Sequence, residues 1–123
     1  MSVGTALRKL FTKPYGKVNA HQAAALVDDG ALLLDVREPH EWQAGHAPKA
    51  RHIPLAQLPH RAGELPANKP IVTVCRSGNR SARAAAILAG TGRDASNLAG
   101  GMHAWARAGL PVVAKGGGSG RVA

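Results

Sequence analysis

The single cysteine of this 123-residue chain, Cys75, follows the apolar run Ile71-Val72-Thr73-Val74 and precedes Arg76-Ser77-Gly78-Asn79-Arg80-Ser81. A sulfur placed where a buried strand gives way to a helix can become a nucleophile. The run before it is β-branched and comes after the turn signals Asn68 and Pro70, which predicts a short strand buried on both faces. From Ser81 to Ala89 the composition is Ala-rich and stops at Gly90 and Gly92, which predicts a helix. The residues between form a tight turn whose N–H groups point inward beside the positive end of a helix dipole, with Arg76 and Arg80 at hand. All three features favour an anion, and such surroundings bring a thiol pKa from about 8.5 toward ~7 or below. Gly78 allows a backbone conformation closed to other residues and leaves space above the sulfur. An anionic substrate would sit in the same bowl, met by the N–H groups of Ser77, Gly78, Asn79 and Ser81 and by the charges of Arg80 and Arg76.

Short strands alternating with helices must position this turn. Asn19 reads as an N-cap for a helix over Ala20 to Asp29, stopped by Gly30, and Ala31 to Val36 reads as a central strand. Glu38 to Ala44 is a short helix, Ile53-Pro54-Leu55 a brief strand, and Leu58 to Leu65 a helical turn region. Ala95 to Leu98 is the last strand and Met102 to Ala108 the last helix, ended by Gly109 and Pro111. The alternation predicts a three-layer α/β domain with a mainly parallel central sheet and helices on both faces. Ligands of such sheets sit beyond the carboxyl ends of the strands, where Cys75 lies.

Length and a hydrophobic fraction of 45% allow one domain with an ordinary core, and 3% aromatics make that core one of Ala, Val, Leu and Ile. One cysteine excludes an internal disulfide, and the N-terminal residues lack the apolar core of a signal peptide or membrane span, so a cytoplasmic location is expected. The net charge of +9 is spread along the chain, with Arg8, Lys9, Lys13 and Lys17 as the nearest approach to a cluster. No zinc spacing or RNA-recognition motif accompanies it, so a solvated basic surface that draws in anions is expected rather than a nucleic-acid site. His21, His40, His52, His60 and His103 have no metal-ligand spacing, and no metal or cofactor is expected. Trp42 and Trp105 read as core anchors. Ala6, Leu7, Leu10 and Phe11 form an apolar stripe at helical spacing within the basic lead segment.

The loop from Cys75 to Arg80 resembles the Cys-x-x-x-x-Arg active-site loop of the rhodanese family, the thiosulfate and related sulfurtransferases. Other motifs agree in order. Asp35-Val36-Arg37 is similar to the family's Asp-x-Arg motif. Gly45-His46-Ala47-Pro48 with Ile53-Pro54-Leu55 resembles its Gly-His-Ile-Pro-Gly-Ala block, departing at Ala47 and Lys49. Asn97-Leu98-Ala99-Gly100-Gly101 with Trp105 resembles its closing motif. The resemblance implies a rhodanese domain over residues 18–114, between a basic N-terminal segment, 1–17, and a tail, 115–123, that is flexible by composition. It also implies structural support of the site by the Asp35–Arg37 pair, by His46 in packing and hydrogen bonding, and by Gly100 and Gly101 in a tight turn near the loop.

The implied activity is transfer of a sulfane sulfur from thiosulfate or a similar anionic donor, through a persulfide on Cys75, to an external acceptor. That acceptor would be cyanide or a cellular thiol, including that of a thioredoxin-like protein. An alternative is a sulfur-carrier or protein-interaction module loaded by partner proteins. Related phosphatases and arsenate reductases carry five residues between Cys and Arg, enough to ring a tetrahedral oxyanion. This loop has four, the length suited to a sulfur.

Overall fold

The computed structural model describes residues 14–123. Its centre is a five-stranded parallel sheet in the order β1-β5-β4-β2-β3. The strands are β1 (Gly16–Val18), β2 (Leu32–Asp35), β3 (Arg51–His52), β4 (Ile71–Val74) and β5 (Ala95–Leu98). The helices are α1 (Ala20–Asp28), α2 (Pro39–Ala44), α3 (Leu58–Arg61), α4 (Asn79–Gly90) and α5 (Gly101–Arg107), with 3-10 turns at Leu55–Gln57 and Ala62–Glu64. Among the described residues no helix is long and apolar enough to cross a membrane.

Both faces of the sheet are covered, which is why β2 and β4 read as continuous apolar runs. Alternate residues go to opposite cores. Leu34, Ile71 and Cys75 join Leu58, Ala84, Ala85 and Leu88 of α3 and α4. Leu33, Val72 and Val74 join Ala20 and Ala23 of α1 and Met102 and Trp105 of α5. The cores are separate, so the face on which a β4 residue emerges decides which helix it meets. For Cys75 that helix is α4.

Helix α1 starts where Asn19 and Gln22 form a reciprocal capping box, at 2.8 and 2.9 Å. Three expectations differ from the structure. The predicted strand at Ile53-Pro54-Leu55 is displaced to Arg51–His52: the N–H groups of Ile53 and Leu55 still reach the Asp35 and Val36 carbonyls, but the chain turns into a 3-10 helix at Leu55. The sheet reaches into the segment set apart as 1–17, since Gly16 and Lys17 already pair with Ser96 and Asn97. The apolar stripe Ala6, Leu7, Leu10 and Phe11 lies outside the described residues, as do Arg8, Lys9 and Lys13.

The third difference is the tail. Val113 bridges antiparallel to both His46 and Ser119. Lys115 N–H donates to the Gln43 carbonyl and Arg121 N–H to that of Ala44, each at 3.0 Å. The tail doubles back and fastens to the end of α2. Main-chain pairing needs no particular side chains, so a glycine-rich composition conceals it.

Candidate active site

Cys75 is 1% exposed and leaves β4 on the α4 side. The Gly78 N–H donates to Sγ at 3.1 Å, and the Ser81 hydroxyl lies 3.2 Å from it. Gly78 caps α4 at φ +113°, a left-handed conformation open to glycine, and so turns its N–H back toward the sulfur. From the other side, the first turn of α5 draws the loop carbonyls outward. Met102 N–H donates to the Cys75 carbonyl at 2.7 Å and His103 N–H to that of Arg76 at 3.2 Å. In a trans peptide C=O and N–H point opposite ways, so holding the Arg76 carbonyl directs the Ser77 N–H inward. Burial works against ionisation of the thiol, but the Ser81 hydroxyl and the amides of Ser81, Gly78 and Ser77 outweigh it. The Cys75 pKa is lowered from its ordinary value.

The other expected residues fall into place less evenly. Arg80 is paired with a carboxylate. Its two terminal nitrogens donate to the carboxylate of Glu41 at 2.6 and 2.9 Å, a bidentate pair that ties α4 to α2. Arg76, Ser77 and Asn79 are exposed at the rim. Ser81, expected to contribute its N–H, also brings its hydroxyl to the sulfur. Asp35 and Arg37 are both fully buried, joined from Nε at 3.0 and 3.1 Å and from one terminal nitrogen at 2.7 Å. That nitrogen also donates to the Gly45 carbonyl at 2.6 Å. The pair thus locks the end of β2 to the end of α2. His46 stacks on Trp42 at 3.6 Å between ring centroids, with Nδ1 2.6 Å from the Trp42 carbonyl, and His52 also stacks on Trp42, at 4.9 Å. Trp42 is therefore a half-buried platform for two imidazoles, whereas Trp105 is a core anchor. Gly100 is the N-cap of α5, and Gly101 lies against the main chain of Cys75 and Arg76.

Three residues at the site were given no role by the sequence reading. Glu41 is the counter-charge of Arg80. Asn97 accepts from the Ser81 hydroxyl at 2.6 Å and donates to the Gly78 carbonyl at 3.1 Å. Thr73, on the Cys75 side of β4, donates to the Ser81 carbonyl at 2.7 Å. Asn97 stood within a quoted motif, and Glu41 within a predicted helix, but their partners are distant in sequence.

The Arg80 guanidinium beside Glu41, opposed by burial and aided by the Glu38 N–H, holds the Glu41 carboxyl down from 4.5 to about 2. A carboxyl with a depressed folded-state pKa stabilises the fold above its unfolded pKa, and that contribution is lost as pH falls through the folded value. Wild-type protein should therefore lose stability between about pH 4.5 and 2 more steeply than Glu41→Gln, by up to about 3 kcal/mol. Denaturant unfolding of both proteins across that range checks this. Parallel slopes would remove Glu41 as the source.

The family model of the Rhodanese-like domain matches residues 19–108. The chain belongs to this family. This rhodanese-like domain is 46% identical over 88 residues to a protein named sulfurtransferase from Allochromatium vinosum, a match covering 70% of this chain and 81% of that one. It is 36% identical over 92 residues to the thiosulfate sulfurtransferase GlpE of Pseudomonas syringae pv. syringae, covering 74% and 87%. In structure it resembles a rhodanese-related protein from Thermoplasma volcanium, with a TM-score of 0.76 and 32% identity, over 80% of this chain and 98% of that one. The family match spans every element from α1 to α5, leaving β1 and the doubled-back tail outside it.

Proposed function

We propose that this rhodanese-like domain is a sulfurtransferase that moves a sulfane sulfur from thiosulfate, or a donor of similar charge and size, through a persulfide on Cys75 to a thiophilic acceptor. The observation that carries the reading is the sulfur itself, seated at the carboxyl end of a parallel sheet with a main-chain N–H and a hydroxyl aimed at it. In the first half-reaction the Cys75 thiolate attacks the outer sulfur of thiosulfate. An Sγ–S bond forms, the S–S bond of the donor breaks, and sulfite leaves with its electron pair. The loop amides would stabilise the negative charge that then rests on the outer sulfur. Arg76, at the rim, is the arginine available to the donor, because Arg80 is engaged by Glu41.

In the second half-reaction the acceptor bonds to the outer sulfur, and Sγ departs as a thiolate. Cyanide would give thiocyanate, and a cellular thiol would give a new persulfide. No second cysteine is present in these 123 residues, so the sulfur cannot be released by an internal disulfide and the acceptor must come from outside. Intact-protein mass tests the cycle. Incubation with thiosulfate should add one sulfur atom, about 32 Da, and cyanide or a thiol should then remove it. Absence of the gain would overturn thiosulfate as donor, and a gain that no acceptor removes would overturn transfer.

A further inference from the structure

The Ser81 hydroxyl faces two acceptors with one proton. Asn97 Oδ1 is 2.6 Å away and Cys75 Sγ 3.2 Å away. A hydroxyl donates once, and a carbonyl oxygen and a thiolate can only accept. Ser81 is fully buried and Asn97 nearly so. The amide of Asn97 cannot relieve the competition by flipping, because its Nδ2 is directed at the Gly78 carbonyl, 3.1 Å away. A neutral thiol resolves the arrangement without loss: S–H donates to Ser81 Oγ, and Ser81 donates to Asn97. A thiolate reverses the chain and strips Asn97 Oδ1 of the Ser81 donor. A buried acceptor left without a partner carries the full penalty of its desolvation.

We propose that Asn97 is a positioning residue, which holds the Ser81 proton while Sγ is neutral and yields it when Sγ becomes anionic. The proposal deepens the sulfur-transfer reading and rests on it for its place in the cycle. In the persulfide, negative charge sits on the outer sulfur and Sγ is neutral, so the hydroxyl belongs to Asn97. As the acceptor bonds to the outer sulfur, the electron pair of the breaking S–S bond moves to Sγ, and the hydroxyl turns to it. No proton is transferred. Asn97 thereby ties the donor to the moment at which Sγ leaves, and raises the free-energy cost of the idle thiolate.

Titration of the thiolate by its ultraviolet absorbance, read against Cys75→Ser protein to subtract Tyr15, tests this without any sulfur donor, and the single cysteine leaves one thiol to assign. Wild type, Ser81→Ala, Asn97→Leu and the double variant are compared. The Gly78 carbonyl keeps the Ala82 N–H in every case. The charged groups on the surrounding elements are also unchanged: Arg76 in the loop, Arg80 on α4, Glu38 and Glu41 beside it, His103 on α5, and Asp35 with Arg37 at the end of β2. Asn97→Leu should lower the Cys75 pKa by about one unit, a tenfold change in the thiolate-to-thiol ratio at a given pH. Ser81→Ala should raise it, and Asn97→Leu in the Ser81→Ala background should leave it there. An unchanged or raised pKa in Asn97→Leu overturns the proposal, as does an equal drop in both backgrounds, which would mean general loosening. If Asn97→Leu does not fold, Asn97→Ala takes its place in the same cycle. A titration that behaves as expected in a protein that gains no sulfur from thiosulfate would fault the donor and leave the pair intact.

Discussion

Cys75→Ser protein should transfer no sulfur at all while remaining folded. The substitution keeps the shape of the side chain and gives Gly78 N–H and Ser81 an oxygen in place of the sulfur they face. Folding should therefore suffer by no more than about 2 kcal/mol, the scale of one perturbed buried hydrogen bond. Chemistry has no such substitute. A serine hydroxyl does not ionise near neutral pH, and its oxygen cannot form the Sγ–S bond through which the sulfane sulfur is carried. Thiocyanate formation from thiosulfate and cyanide should fall to the uncatalysed rate, with a thermal midpoint within several degrees of wild type. Turnover within tenfold of wild type would sink covalent catalysis at Cys75 and send the search to the rim.

Gly101→Ala should damage both fold and activity although it adds a single methyl group. Gly101 has φ +57°, a region costing an alanine about 1–2 kcal/mol. Its new Cβ would run into the Cys75 carbonyl and the main chain of Arg76, which cannot swing aside as a side chain would. Overpacking of this kind adds about 1–3 kcal/mol. Gly92 provides the control, since it has φ +85° with open space where the Cβ would go. Gly92→Ala should cost only the backbone part, and Gly101→Ala distinctly more. To relieve the overlap the loop must slide away from α5, weakening the bonds from Met102 and His103 that turn its amides inward. Sulfur transfer by Gly101→Ala should drop by tenfold or more even where the protein is fully folded, and Gly92→Ala should be as active as wild type. Equal loss of stability in the two variants would refute the close approach.

Much of this was legible because it is local. The capping box of Asn19 and Gln22, the apolar runs of β2 and β4, and the turn from Cys75 into α4 are each written within a few consecutive residues. The cysteine loop could be recognised because strand, glycine and helix follow one another there within a few residues. What was missed is tertiary. Gly16-Lys17-Val18 has little strand character and becomes one only because β5 offers an edge. Arg80 looked like an anion ligand because Glu41, 39 positions earlier, is invisible to a reading by spacing. Ser81 passed as a backbone donor, since nothing nearby reveals that its side chain shares the face of Thr73 and Cys75. The tail misled most, because its glycines suggested freedom whereas its main chain pairs with Gln43, Ala44 and His46.

The strand order also bears on how the chain comes into being. Among the described residues β1 is the first strand and pairs only with β5, almost eighty residues later, and β4 has β2 on one side but waits for β5 on the other. Until the start of α5 has left the ribosome, the Met102 and His103 N–H groups that hold the loop carbonyls are absent. A nascent chain that already carries the cysteine therefore lacks the bonds that turn the Ser77 N–H inward. On the proposed mechanism, the topology delays completion of the loop around Cys75 until the domain can close over it.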